Sequence, residues 1–184
     1  MPSPLRLSLR ILDREPSTAS AQGLLTRQVW KGGATDLSSR SVIADPPRWL
    51  ELADQVLVET TASLLSWDLE QILPGYRVSP ANAGGVILVS MDIDPDREAE
   101  FNDWYNTEHI PHLSEVPGVL AARRFRAVGG SRPGVPGYVA LYHVESTGIY
   151  ATRTWVVANE TPWMLRMRRF QRNRTYFMFP TRVG

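Results

Sequence analysis

Cysteine is absent from this 184-residue chain. Disulfide staples, thiolate zinc sites and a cysteine nucleophile are excluded together. Lysine is nearly absent as well: of the 20 basic residues, Lys31 is the one lysine and all the others are arginine. A surface of planar guanidinium forks suits carboxylate pairing and aromatic stacking. Long apolar runs are missing; nothing approaches the ~18 residues of a membrane span, so no membrane association is expected. Arg6 and Arg10 interrupt the opening stretch, which has no secretory apolar core, and a cytoplasmic location is the expectation. A large charge of one sign is lacking too: 20 bases less 19 acids leave +1, too balanced to imply nucleic acid. No phosphate-cradling glycine loop, dinucleotide fingerprint or serine nucleophile elbow occurs.

What is present is 43% hydrophobic and 21% charged, enough apolar material for a real core. The pattern divides near residue 80. Residues 1–80 form an N-terminal segment with strand-like alternation at Leu5–Leu12 and a second apolar run at Gln55–Thr61. Between them Gly32, Gly33, Pro46 and Pro47 read as loop punctuation, and Trp49–Ala53 as a helical turn. Residues 73–85 read as a linker.

Residues 81–184 form a more legible module. Val86–Ile93 is a strand; Asp94-Pro95 then starts a helix that carries Phe101, Trp104 and Tyr105 at 3–4 spacing and that Pro111 is expected to stop. Strands follow at Val119–Val128 and Tyr138–Glu145, helical segments at Thr147–Asn159 and from Thr161-Pro162, and a last strand at Asn173–Pro180. The order β-α-β-β-α-β predicts an α+β, ferredoxin-like module with a four-stranded antiparallel sheet. Helices cover one face of such a sheet, so the other must be buried elsewhere. Residues 1–80 are either a degenerate half-module or a wrapping extension. With no repeat of the helix pattern visible in them, a homodimer is the favoured way to close the two sheets.

The run Phe101–Leu113 (FNDWYNTEHIPHL), followed by Pro117-Gly118, resembles the signature helix of the dimeric α/β-barrel superfamily, in particular its EthD-like branch. The matching positions are Trp104, His109, Pro111 and Leu113. The strands ARRFRAV and YVALYHVES and the TPW start at Thr161 are similar too. The resemblance covers about half the chain. It implies a homodimeric barrel. The superfamily includes cofactor-free monooxygenases, muconolactone isomerases, polyketide cyclases and haem-binding enzymes, and fold alone does not choose among them.

His109, at the helix end, is the leading catalytic candidate, since an imidazole there can move protons near neutral pH. Its structural alternative is to cap the helix and pack on Trp104. Tyr105, one turn earlier, would assist it, with Phe101 and Trp104 as an apolar wall. His112, Arg124, His143 and Trp163 complete the candidate substrate contacts. Arg124 would hold a carboxylate or enolate oxygen. The alternative is ion pairing, because residues 92–115 hold eight acids while residues 166–174 hold five arginines and no acid. His143 reads as core or pocket wall, and Trp163 as a pocket mouth. Glu108, His109 and His112 have poor metal-ligand spacing, so no metal and no cofactor is expected. Surface aromatics beside the arginine run raise an RNA reading, but the RNP1 string of RNA-binding ferredoxin-like domains is absent.

The reading is a small cofactor-independent enzyme acting by proton transfer on a hydrophobic cyclic, aromatic or polyketide-like substrate. Isomerase, cyclase, decarboxylase and monooxygenase chemistry all fit it. The alternative is a non-catalytic ligand-binding or accessory dimerisation protein.

Overall fold

A computed structural model describes residues 4–17, 26–55, 62–129 and 131–184. Eight antiparallel strands close into one barrel within the single chain. In chain order they are β1 (Arg6–Leu12), β2 (Gln28–Asp36), β3 (Ser41–Ala53), β4 (Leu65–Leu73), β5 (Gly85–Ile93), β6 (Val119–Ala127), β7 (Tyr138–Val144) and β8 (Gln171–Val183). Around the barrel they run β1-β3-β2-β8-β5-β7-β6-β4. Each half therefore repeats one order, with its fourth, first, third and second strands side by side. The two junctions are equivalent: the second strand of each half pairs with the fourth of the other, β2 with β8 and β6 with β4.

The four-stranded sheet inferred from residues 81–184 is thus corrected to eight strands, four of them from residues 1–80. The open sheet face that argued for a second copy is covered inside the chain. No repeat shows in the sequence because the shared feature is strand order, and the first half has no helix among its described residues.

Two local expectations in the first half are overturned. Gly32 and Gly33 are not a turn; they lie in β2 at irregularities in its pairing with β3 and β8. A Cβ on Gly32 would stand 2.0 Å from the Met178 carbonyl oxygen, and one on Gly33 would stand 1.8 Å from that of Ile43. Glycine is there because neighbouring backbones pass too close for a side chain. Trp49–Ala53 is strand, not helix, because pairing with β1 on one side and β2 on the other outweighs local propensity. Pro46 and Pro47 sit in the same strand where its ladder with β2 is interrupted between Ile43 and Arg48, so no missing N–H is needed. Most of the run Gln55–Thr61 lies outside the described residues.

The barrel interior is filled by alternate residues of all eight strands, among them Leu9, Trp30, Leu52, Trp67, Leu88, Phe125, Leu141 and Phe179. A second apolar layer lies outside the barrel, between β5–β8 and the helices. The helices are α1 (Glu98–Trp104), α2 (Ile110–Ser114), α3 (Arg153–Asn159) and α4 (Pro162–Met167).

Candidate functional site

The helix after β5 begins with a 3-10 turn at Pro95–Arg97 and has acids at Asp96, Glu98 and Glu100; Asp94 precedes it without a side-chain cap bond, its carboxylate taken by Arg172. Pro111 does not end it. Tyr105–His109 form a π-turn, in which the Ile110 N–H donates to the Tyr105 carbonyl five residues back, and α2 then continues to Ser114. Proline in a regular helix lacks a donor and crowds the carbonyl four residues before it. The wider turn relieves that conflict and places Pro111 in the first turn of a fresh α segment. It also buries both Tyr105 and His109. Such π-turns are frequent at functional sites.

Beneath this turn lies a cavity of about 240 Å³. Its floor is the outer face of the sheet: Val89 and Met91 of β5, Tyr142 of β7 and Tyr176 of β8. Trp104, Tyr105 and His109 form one wall, and Tyr150 and Trp155 another. Leu37 and Arg40, at the tip of the β2–β3 hairpin, reach it from the first half of the chain. Arg40 adopts φ +53, with its guanidinium 2.6 Å from Glu160 and 5.4 Å from the centre of the Tyr150 ring. Arg168 and Arg174 complete the rim.

The imidazole of His109 is 5% exposed, with ring centres at 4.6 Å from Trp104 and 4.8 Å from Tyr105. Burial pushes its pKa down to about 3, with Arg124, His112 and Arg168 adding repulsion. It is therefore neutral across the physiological range. Its Nδ1, and the indole Nε1 of both Trp104 and Trp155, are buried with no hydrogen-bond partner among the described residues. Burial likewise raises Tyr105; Arg124 opposes the shift and Tyr176 adds to it. Tyr142 is raised well above its ordinary value by burial and then by Tyr105, Tyr150 and Tyr176. Tyr105 and Tyr142 thus remain protonated donors.

Of the residues predicted from sequence, Trp104, Tyr105 and His109 meet at this cavity and the others do not. Phe101 is fully buried beside them, packed on Tyr105 and Tyr138. Arg124 is not a wall residue: it donates to Asn106 Oδ1 at 2.8 Å and Asn102 Oδ1 at 2.7 Å and lies under the Phe101, Tyr105 and Tyr138 rings. Its charge is used in fastening the helix to β6. Burial lowers its pKa to about 10, against the opposing effect of the neighbouring tyrosines and Glu98, so it stays cationic.

His143 points into the barrel, on the far side of the sheet from His109; its Nε2 is 3.2 Å from Gln28 Oε1 and its ring lies edge-on to Trp30. His112 faces a separate open groove with Glu115, Arg153 and Val157. Trp163 is outside the cavity, donating from Nε1 to Glu100 at 3.3 Å. Among the described residues no three His, Asp or Glu side chains gather to hold a metal ion, and no helix is long and apolar enough to cross a membrane.

The wall residues missed in the sequence are chiefly Tyr142, Tyr150, Trp155, Arg168 and Arg174. Tyr142 was within reach, because strand alternation puts it opposite His143. The hairpin residues Leu37 and Arg40 were not, since only the barrel closure brings them there.

A family described as "Domain of unknown function (DUF4286)" matches residues 86–160, less than half of the chain. No curated protein matches. Among solved structures, a protein from Fusobacterium nucleatum described as a "putative monooxygenase" is similar over 100% of this chain and 96% of its own, with 10% identity and a TM-score of 0.52. A Listeria monocytogenes protein described as an uncharacterized ferredoxin fold protein related to antibiotic biosynthesis monooxygenases is similar over 97% of this chain and 96% of its own, at 12% identity and a TM-score of 0.48. At such identities the likeness is one of fold.

Proposed function

We propose that the chain is a cofactor-independent enzyme that binds a flat aromatic or polyketide-like molecule of one or two rings in the cavity beneath the π-turn and moves a proton on it. The observation that carries this reading is the cavity wall itself. Trp104, Tyr105, Tyr142, Tyr150 and Trp155 line it together with His109, so a flat ring finds aromatic faces and one imidazole in the same space. The volume, about 240 Å³, lies just below the ~300–1,000 Å³ typical of ligand sites, which favours one or two rings over a tetracyclic body.

In this reading the neutral His109 accepts the proton leaving an acidic C–H or O–H of the substrate, and the enolate that forms beside it offsets the cost of a buried imidazolium. Tyr105, held protonated, donates to the developing oxyanion. Kinship with the EthD-like branch is part of the proposal. It is supported by Trp104 and His109 lining the cavity and by Leu113 being buried beneath the same helix.

A second reading, ligand binding without turnover, is favoured by one fact: an imidazole whose pKa is pushed to about 3 is a weak base. A panel of mono- and bicyclic phenols, enols and β-keto acids, followed by product mass spectrometry, separates the two. The enzyme reading expects His109→Gln to lower kcat at least a hundredfold with little change in KM. Equal turnover by both proteins overturns the role of His109. Tight binding with no product from either establishes the binding protein.

A further inference from the structure

The arginine run of residues 166–174 divides by what each side chain meets. Arg166 pairs with Glu100 and Arg172 with Asp94, both on the acidic helix. Arg168 and Arg174 instead border the cavity, where they make no ion pair among the described residues. The rim holds Arg40, Arg168 and Arg174 against the single carboxylate of Glu160. That carboxylate is occupied by Arg40 at 2.6 Å. Two cations therefore remain uncompensated at the mouth of an aromatic cavity. Arg168 and Arg174 are both exposed and both line the cavity, so their guanidinium groups stand at its opening.

The chain is shaped to produce this division. From Asp92 to Ser90 on β5, opposite Arg172 to Thr175 on β8, two steps face three, so β8 carries one extra residue. Asn173 sits in that bulge with φ +49, held by its Nδ2 donating to Asp92 Oδ2 at 2.8 Å. In an unbroken strand Arg172, Arg174 and Tyr176 would share one face. The bulge separates Arg172, which turns to Asp94, from Arg174 and Tyr176, which both border the cavity. Bulges beside functional sites re-aim side chains in this way.

We infer that the molecule this cavity accepts is an aromatic acid: a flat one- or two-ring body among Trp104, Tyr142 and Trp155, with a carboxylate held at the mouth by Arg168 and Arg174. The inference rests on the cavity being the ligand site. Guanidinium forks match a planar carboxylate in bidentate fashion. Arg124, the arginine singled out in the sequence for this task, is committed to Asn102 and Asn106.

Two probes of nearly equal shape test it on the full-length chain: 2-naphthoate, and the uncharged 2-naphthamide. Binding is read by quenching of the tryptophans at the wall and by calorimetry. At low salt the acid binds about tenfold more tightly than the amide, equivalent to about 1.4 kcal/mol, and the preference shrinks as salt rises. In the double variant Arg168→Gln, Arg174→Gln, whose altered positions are both exposed, the preference disappears, with circular dichroism and Tm reporting an intact fold. Equal binding of acid and amide by the native protein, or a preference that survives in the double variant, overturns the acid inference and leaves the aromatic cavity standing. Failure of both probes to bind at their solubility limits overturns the cavity reading and the inference with it.

Discussion

Replacing His109 with glutamine should make the protein less sensitive to acid. The histidine has an ordinary pKa of 6.5 and is pushed to about 3 in the folded chain, chiefly by burial. Below about pH 6.5 the unfolded chain takes up a proton that the folded chain refuses, so stability falls as pH falls and levels off only near pH 3. Each pH unit within that window costs about 1.4 kcal/mol, and at about pH 5 the accumulated loss is about 2 kcal/mol. Glutamine is polar, similar in reach and has no proton to take up, so its variant lacks this component.

Urea unfolding of both proteins at about pH 7.5 and about pH 5 measures the effect. The native protein should lose about 2 kcal/mol more than the variant between the two conditions. His143, fully buried and also pushed well down by burial and then by Arg123 and Arg182, titrates in the same direction. It is present in both proteins, as are the carboxylates, so these contributions cancel in the comparison. Equal acid losses would refute the argument, because they would mean that the ring is solvated or paired. Proton NMR gives an independent readout: the ring Cε1–H of His109 should not titrate between about pH 5 and pH 8. A pH–rate profile should then show no inflection near 6.5 from this residue.

Asp54→Ala should cost about 3–5 kcal/mol in denaturant unfolding, because Arg123 and Asp54, 0% and 2% exposed and 2.9 Å apart, would become a buried unpaired charge. By contrast Arg126→Gln, which removes an exposed partner of Glu70, should change stability by less than about 1 kcal/mol. Gly33→Ala should destabilise by more than about 3 kcal/mol or prevent soluble expression, since its Cβ would overlap the Ile43 carbonyl at 1.8 Å; a variant as stable as the native chain would refute the close approach. Because the barrel closes within one chain, Tm should be independent of protein concentration over a hundredfold range, and a rising Tm would show that association contributes to folding.

The second half of the chain was legible because each of its elements carries a local signal. Apolar strands are bounded by Pro95, Pro117-Gly118 and Thr161-Pro162, and the helix faces repeat at 3–4 spacing. Phe101, Trp104 and Tyr105 stood out by that spacing, and His109 by its place at the helix end and by the family resemblance. Pro111 misled, since a π-turn is a relief of strain that local propensity does not encode. His143 was correctly grouped with Val139 and Leu141, yet which face of β7 is interior depends on the other sheet. Gly32, Gly33 and the proline pair of β3 read as turns because their reason, backbones crossing at a bulge, lies in residues distant in sequence. Arg168 and Arg174 were seen as part of a charge run; the turn before β8 sets Arg168 apart, and the extra residue at Asn173 separates Arg174 from Arg172.

The presence of helices over one half of the barrel and their absence from the described residues of the other follows from a difference already written in the strands. In β1, Leu7, Leu9 and Ile11 face the interior and alternate with Ser8 and Arg10; in β4, Trp67 and Leu69 alternate with Ser66, Asp68 and Glu70. Their outward face is polar and forms its own bonds, such as Ser8 Oγ to Asp68 Oδ1 at 3.0 Å and Arg10 and Arg27 to Glu51. A polar face of that kind offers no apolar surface for a helix to pack on, and Ser8, Arg10 and Glu51 are buried in it among polar partners. In β5 and β7, by contrast, Ile87, Val89, Met91, Ala140 and Tyr142 make the outward face apolar as well, and helices must cover it. Among the described residues the cavity between sheet and helices lies over this half, and what the two halves share is a strand order. What the first half contributes to the site comes from its hairpin tip, where Arg40, tied to Glu160, sets one edge of the opening that Arg168 and Arg174 complete.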